Sequence, residues 1–248
     1  MRSLVLLVLL PAAAASAADP CVAHAPADRV HLVELYTSEG CSSCPPAERW
    51  LSTLLGNPGY APLEFHVDYW DTDTWHDPYA EARHAVRQRE AARRSGRGIV
   101  YTPQIFVDGR LWKDWPKAPP PEPPQQAGTP LSFTVTHGDG IQVAVRTAAN
   151  EGRAVAVALT EDGLSNVVDG GENRGSRLQH DHVVRAFAGP RDAGDFDANL
   201  RLPSDVDLAR SSVVAFLQDR RNGDVLQVTR LPLSSCPGTA AAAAGAQD

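Results

Sequence analysis

Cys41 and Cys44, two residues apart in Gly40-Cys41-Ser42-Ser43-Cys44-Pro45-Pro46, have the spacing for reversible disulfide chemistry. They lie where an apolar strand, Val30 to Tyr36, gives way through Thr37-Ser38-Glu39-Gly40 to a helix that opens at Cys44. At a helix N-terminus, unpaired N–H groups and the positive end of the dipole favour a thiolate. Such surroundings can lower a cysteine pKa to about 3.5–7.5. Cys41, the cysteine nearer the exposed opening, is expected to attack, and Cys44, one turn inside, to resolve the mixed disulfide. Ser42 and Ser43 are placed to donate hydrogen bonds to the thiolate. A permanent local staple is the competing reading of the same pair.

The remaining cysteines, Cys21 and Cys236, bear on compartment. Arg2, an apolar run from Leu4 to Leu10 and small residues through Ala18 have the layout of a cleaved secretory signal. The apolar run is shorter than the ~20 residues of a membrane span. The protein is therefore expected to be exported, periplasmic or secreted, with no membrane span once the signal is removed. Disulfides persist in such compartments. Four cysteines allow three pairings, and the spacing favours a redox pair Cys41–Cys44 with a structural bridge Cys21–Cys236. Four structural staples, or bonds from Cys21 and Cys236 to other chains, remain open. The net charge of −7 gives no electrostatic match to nucleic acid.

Fifteen residues from Pro116 to Pro130 form a proline-rich strip that no helix or central strand tolerates. The expected organisation is a signal at 1–18, a redox domain at 19–115, a linker at 116–130, a β-sandwich-like domain at 131–236 and a disordered tail at 237–248. The first half reads as strand 30–36, helix 44–55, strand 63–68, a helix from Pro78 to Ser95, and two strands around Asp108-Gly109, a strong hairpin-turn signal. The second half reads as antiparallel strands near 131–136, 141–147, 153–160, 164–168, 180–187, 212–219 and 224–231, with Asn222-Gly223 turning the last two.

The order strand, Cys-x-x-Cys, strand, helix, Thr102-Pro103, strand, Asp-Gly turn, strand resembles the thioredoxin-like superfamily. The segments Tyr36-Thr37-Ser38-Glu39-Gly40-Cys41, His66-Val67-Asp68-Tyr69-Trp70-Asp71 and Val100-Tyr101-Thr102-Pro103-Gln104 are similar to a bacterial family of predicted secreted proteins of unknown function, over residues 30 to 233. The resemblance implies an α/β thioredoxin-like domain followed by an all-β domain. It also implies a cis Pro103, preceded by Thr102, that faces the cysteines, and a buried acid at Glu34 that helps move the resolving thiol's proton. One departure is plain: Lys113-Asp114-Trp115-Pro116 stands where that superfamily has a terminal helix.

Other clusters have less specific spacing. The loop from His66 to Asp77 holds two histidines, four aspartates, Tyr69, Trp70 and Trp75. It reads as a polar cap with its aromatic residues turned toward the active-site side, where Tyr69, Trp70 and Trp75 are placed to face substrate. His180 and His182 would share one strand face, but no third metal ligand is evident. Six arginines from Arg83 to Arg97 read as a solvated helix face. The expected activity is thiol–disulfide exchange with client proteins or small thiols, without organic cofactor or metal. The alternatives are an exported scaffold with an inert disulfide and a copper or zinc delivery protein.

Overall fold

Strands buried on both faces organise this molecule. The computed structural model describes residues 21–96, 98–118, 120, 122, 128–138 and 140–236. The expected signal, the tail and most of the proline strip lie outside them. In chain order the elements are β1 (Cys21–His24), β2 (His31–Thr37), α1 (Pro45–Ser52), β3 (Tyr60–His66), α2 (Ala82–Arg94), β4 (Gln104–Val107) and β5 (Arg110–Trp112). They continue as β6 (Leu131–Gly138), β7 (Gly140–Thr147), β8 (Asn150–Glu161), β9 (Leu164–Val167), β10 (Arg177–His180), β11 (Val183–Ala193), β12 (Phe196–Leu200), β13 (Ser211–Asp219) and β14 (Val225–Pro232).

The expected pair of domains, one α/β thioredoxin-like and one all-β, is not what these strands build. Among the described residues there are fourteen strands and two α-helices, and strands from both halves share one eight-stranded mixed sheet, β14-β13-β8-β11-β3-β2-β4-β5. The junction is β11, which lies parallel to β3 through Val183 and Glu64 and antiparallel to β8. The physical reason is double-sided burial. In Ala154–Leu159 of β8 and Val213–Leu217 of β13 every side chain is buried. Strands buried on both faces belong inside a covered sheet, whereas a half-solvated sheet alternates apolar with polar residues.

Three apolar layers follow from the alternation. Val155, Val157 and Leu159 pack on Phe133, Val143 and Val145 of an antiparallel sheet, β1-β6-β7-β12. Ala156, Ala158, Val214 and Phe216 face the other way, joining Leu32, Tyr36, Phe65 and the α2 residues Ala85, Ala91 and Ala92. Helix α2 thus covers strands of both halves. Helix α1 packs Ala47 and Leu51 on Val33, Leu35, Ile105 and Val107. Its outer side meets Trp115, whose ring stands 6.4 Å from that of Trp50.

One of the six arginines expected on a solvated face is instead buried. The Arg87 guanidinium lies 4.9 Å from the Phe216 ring centroid, and its Nε donates to Glu34 Oε1 at 2.6 Å. The turns expected at Asp108-Gly109 and Asn222-Gly223 both form, and they meet. A β-carbon at Gly109, whose φ is +80°, would lie 2.1 Å from the Gly223 carbonyl oxygen. The Cys21–Cys236 disulfide is present, with a Cα–Cα distance of 5.4 Å. It joins β1, at the edge of the four-stranded sheet, to the chain leaving β14, at the edge of the eight-stranded sheet. No helix among the described residues is long and apolar enough to cross a membrane.

Candidate functional site

Strand β2 ends at Thr37, and a tight turn delivers both cysteines to the start of α1. Cys41 N–H donates to Ser38 O, and Cys44 N–H to Cys41 O, each at 3.1 Å. Cys44 occupies the N-cap with no side-chain cap bond, and Pro45 and Pro46 fit the first turn, where their missing donors cost nothing. The two thiols are free and buried.

Cys41 is held well below an ordinary thiol, at about 6. The largest cause is a hydrogen bond from the Cys44 thiol, followed by the Ser43 and Thr102 hydroxyls, against the opposing effect of burial. The Cys41 sulfur lies 3.3 Å from Ser43 Oγ. Thr102 hydroxyl is oriented from behind, since Trp70 Nε1–H donates to its oxygen at 2.8 Å and leaves its own proton for the sulfur. The Thr102–Pro103 peptide bond is cis. Burial, and then the bond and charge of Cys41, push the Cys44 thiol far up. The environment thus shifts the two thiols in opposite directions, Cys41 down and Cys44 up.

Trp70 and Trp75 both border this turn, because Gly40 has no side chain. A β-carbon there would lie 3.1 Å from the Trp75 ring and 3.2 Å from Trp70 Cβ. Tyr69 is 44% exposed, and partial burial first, then the nearby cysteines, push its hydroxyl up to about 12. Glu34, by contrast, is not brought to the thiols. Alternation along β2 points Val33 and Leu35 toward α1 and Glu34 toward α2, where Arg87 and the Tyr36 hydroxyl, 3.1 Å away, bind it. The acid on the α1 side is Glu48. It accepts from Thr37 Oγ1 at 2.6 Å, and Thr37 has a small lowering influence on the Cys44 thiol against the larger effect of burial.

The second half closes over the pair. Gly171 comes so near that a β-carbon on it would lie 2.5 Å from Gly40 Cα. Glu172 N–H donates to Gly40 O at 2.9 Å, while its carboxylate accepts from Ser42 N–H at 2.9 Å and from Ser42 Oγ at 2.6 Å. Asn173 Nδ2 donates to Glu39 O and Cys41 O, both at 2.9 Å. Cys41 is consequently only 1% exposed, although Ser42 and Ser43 beside it are in solvent. The stretch Gly171 to Gly175 has no motif that assigns it this place from sequence. Thr37, Gly40, Glu48, Glu172 and Asn173 were missed, and only the glycine pair at 170–171 signals a close backbone approach.

Of the two histidines expected on one strand face, His180 ends β10 fully buried, while His182 sits in a turn at φ +63° against Asp162. His66 ends β3 in the same buried cluster as His180, and exposed His76 pairs with Asp71 at 3.2 Å.

A family model described as "Protein of unknown function (DUF1223)" matches residues 32–218. A crystal structure of a protein from Agrobacterium tumefaciens superposes with a TM-score of 0.56 at 25% identity, covering 82% of this chain and 95% of that one. HBP35 of Porphyromonas gingivalis superposes with a TM-score of 0.56 at 11% identity over 86% of this chain and 77% of its own, a likeness of fold alone. No curated protein matches.

Proposed function

This chain belongs to the DUF1223 family of proteins of unknown function, and we propose that it is an exported thiol–disulfide exchange protein. Cys41 is its attacking thiolate and Cys44 its resolving thiol. The observation that carries the reading is the joint placement of two free thiols one helical turn apart, with the Thr102 hydroxyl, steered by Trp70, on the sulfur of the first.

The Cys41 thiolate attacks one sulfur of a client disulfide. The client S–S bond breaks, the leaving sulfur takes the electron pair and a proton, and a mixed disulfide remains on Cys41. Cys44 then loses its proton and attacks Cys41 Sγ, expelling the second client thiolate. The client gains two electrons and two protons, and the Cys41–Cys44 dithiol becomes a disulfide. The reverse sequence oxidises a client dithiol. No organic cofactor enters, and the clients are protein or small-molecule thiols and disulfides.

The expected pH profile follows from the lowered Cys41 pKa. A group that ionises at about 6 gains reactivity as pH rises from 5 and levels off above 7. At pH 7 Cys41 is roughly 90% thiolate against about 3% for an ordinary cysteine, but its weaker basicity reduces its nucleophilicity about 10- to 20-fold, so the net gain is only ~2- to 3-fold. At pH 5 the same arithmetic gives about 20-fold, so acid is where the difference shows. Alkylation rates of Cys41 by iodoacetamide from pH 4 to 9 measure it. A midpoint at 8 or above contradicts the assignment.

Burial of both sulfurs favours a second reading, a scaffold whose cysteine pair is inert. The two readings differ in what limits access. If Glu172 and Asn173 form a removable cover, Asn173→Ala should speed Cys41 alkylation. Two hydrogen bonds at about 0.5–1.5 kcal/mol each correspond to an opening about 5- to 150-fold more populated. An unchanged rate in the folded variant speaks for the scaffold.

A further inference from the structure

Beneath the cysteine turn lies a buried group of side chains that thiol exchange does not use. His66 Nε2 and His180 Nδ1 both point at Glu64 Oε1, at 3.0 and 3.1 Å, and the three donor atoms lie within 4.8 Å of one another. All three residues are fully buried. The far nitrogen of each ring is held by a carboxylate: His66 Nδ1 by Asp77 Oδ2 at 2.9 Å, and His180 Nε2 by Glu39 Oε1 at 3.2 Å. Those carboxylates are fixed in turn. Asp77 accepts from Glu39 N–H at 2.7 Å and Tyr79 N–H at 3.0 Å, and Glu39 from Asn166 Nδ2 at 2.9 Å. Glu48 Oε2 adds a fourth oxygen, 3.5 Å from His180 Nδ1.

We propose that Glu64, His66 and His180 form a divalent metal site of the zinc type, with Asp77 and Glu39 orienting the two imidazoles. Two imidazole nitrogens and one carboxylate oxygen are a zinc donor set, and the nitrogen–oxygen spacings of 3.0 and 3.1 Å suit a cation bound at about 2.0–2.2 Å from each. Ligating histidines characteristically give their other ring N–H to a carboxylate, which fixes the tautomer and aims the lone pair. Both rings have that partner here. An independent observation points the same way. Glu64 Oε2 is buried and has no hydrogen-bond partner among the described residues. A buried carboxylate oxygen left unpaired is costly, and a cation held by both oxygens of Glu64 would give Oε2 the partner it lacks. The hydrogen-bond and ion-pair partners of Glu39, Glu48, Glu64 and Asp77 given above include no Lys or Arg. Glu48 also lines a surface cavity of about 270 Å³ with Pro45, Arg49, Arg177, Leu178 and Gln179, which offers a route inward.

The site stands independently of the thiol reading, and its test removes the thiols. The full chain carrying Cys41→Ser and Cys44→Ser is stripped with a chelator and titrated with cobalt(II), and zinc(II) is then added as competitor. The expected result is one cobalt per chain, d–d absorption without thiolate charge transfer, and displacement by zinc. Asp77→Asn on this background should weaken cobalt binding about 10- to 100-fold, the cost typical of an outer-shell partner, and Glu64→Gln should abolish it. Near-UV circular dichroism checks that each variant is folded; if Glu64→Gln is not, Asp77→Asn decides. Folded protein that takes up no stoichiometric cobalt, or affinity untouched by Asp77→Asn, overturns the proposal. Either failure leaves the roles of Cys41 and Cys44 untouched.

Discussion

With Cys44 replaced by serine, the protein is expected to accumulate as a mixed disulfide on Cys41, and with Cys41 replaced, to form none. The reason is kinetic. In the native pair the second thiol is held one turn from the first, with Cys44 N–H bonded to Cys41 O at 3.1 Å. A reactant held so close acts as though present at molar concentration or above, against millimolar free thiol outside. Its loss should slow release of the client by on the order of 10³-fold. The intermediate should then be visible by non-reducing electrophoresis and by an added mass that a reductant removes. Serine at Cys44 keeps a donor toward Cys41, whereas alanine there removes the main hydrogen bond that lowers the Cys41 thiol, so the alkylation midpoint should move up in Cys44→Ala. The serine change should leave thermal stability nearly as it was, because the serine is close to isosteric. Mixed disulfides that form on Cys44 in the Cys41→Ser chain would reverse the two roles.

The second large effect is purely structural. Replacing Cys21 or Cys236 by serine opens a bridge between residues 215 apart. Chain-entropy arithmetic for a loop of that length gives roughly 5 kcal/mol at 25 °C, the upper end of what disulfides contribute. For a chain of this size that corresponds to about 10–20 °C in Tm. The bridge ties an edge of the four-stranded sheet to the chain leaving the edge of the eight-stranded one, so its loss should free β1 and the β14 end first. Hydrogen exchange would localise the change to Cys21–His24 and its partner β6. Thiol exchange at Cys41 should persist in this variant at temperatures where it is folded. Calorimetry with and without the bridge measures the shift, and a loss under about 2 kcal/mol would mean that the sheets hold together without it.

Local structure was legible in the sequence where periodicity and turn chemistry speak. The strand before Cys41, both helices, the Asp108-Gly109 and Asn222-Gly223 turns and most second-half strands lie close to their expected places. Strands β1, β10 and β12 escape the sequence pattern, since Cys21–His24 and Arg177–His180 are four residues long and Phe196–Leu200 carries polar residues on its exposed side. The assembly of the sheet was not legible. A parallel contact between Val183 and Glu64 spans more than a hundred residues, and no local pattern encodes which edge a strand selects. The available sign is the uninterrupted apolar run in Ala154–Leu159 and Val213–Leu217, which fits one wall of a separate sandwich as well as a shared sheet.

The site divides the same way. Cys41, Cys44, Thr102 and Pro103 could be named from spacing and resemblance because their elements are consecutive. Glu34 was aimed at the wrong face, an error that strand alternation corrects: its neighbours Val33 and Leu35 face α1. The cover at Glu172 and Asn173 and the cluster around Glu64 depend on residues more than a hundred positions apart. What the sequence does offer is Leu63-Glu64-Phe65-His66, charged residues alternating with apolar ones on a central strand with every position buried. Buried charges on such a strand require partners, and that requirement is the trace of the cluster.

The most direct test is the redox equilibrium of the native pair. The full chain is held in glutathione buffers of graded potential, quenched with an alkylating agent and weighed by mass spectrometry to count reduced thiols. Reversible interconversion of Cys41 and Cys44 with a midpoint between roughly −270 and −120 mV, the range of dithiol–disulfide catalysts, is the expected result. A pair that stays in one state across that range, or a midpoint below about −300 mV as for structural disulfides, contradicts an exchanging role.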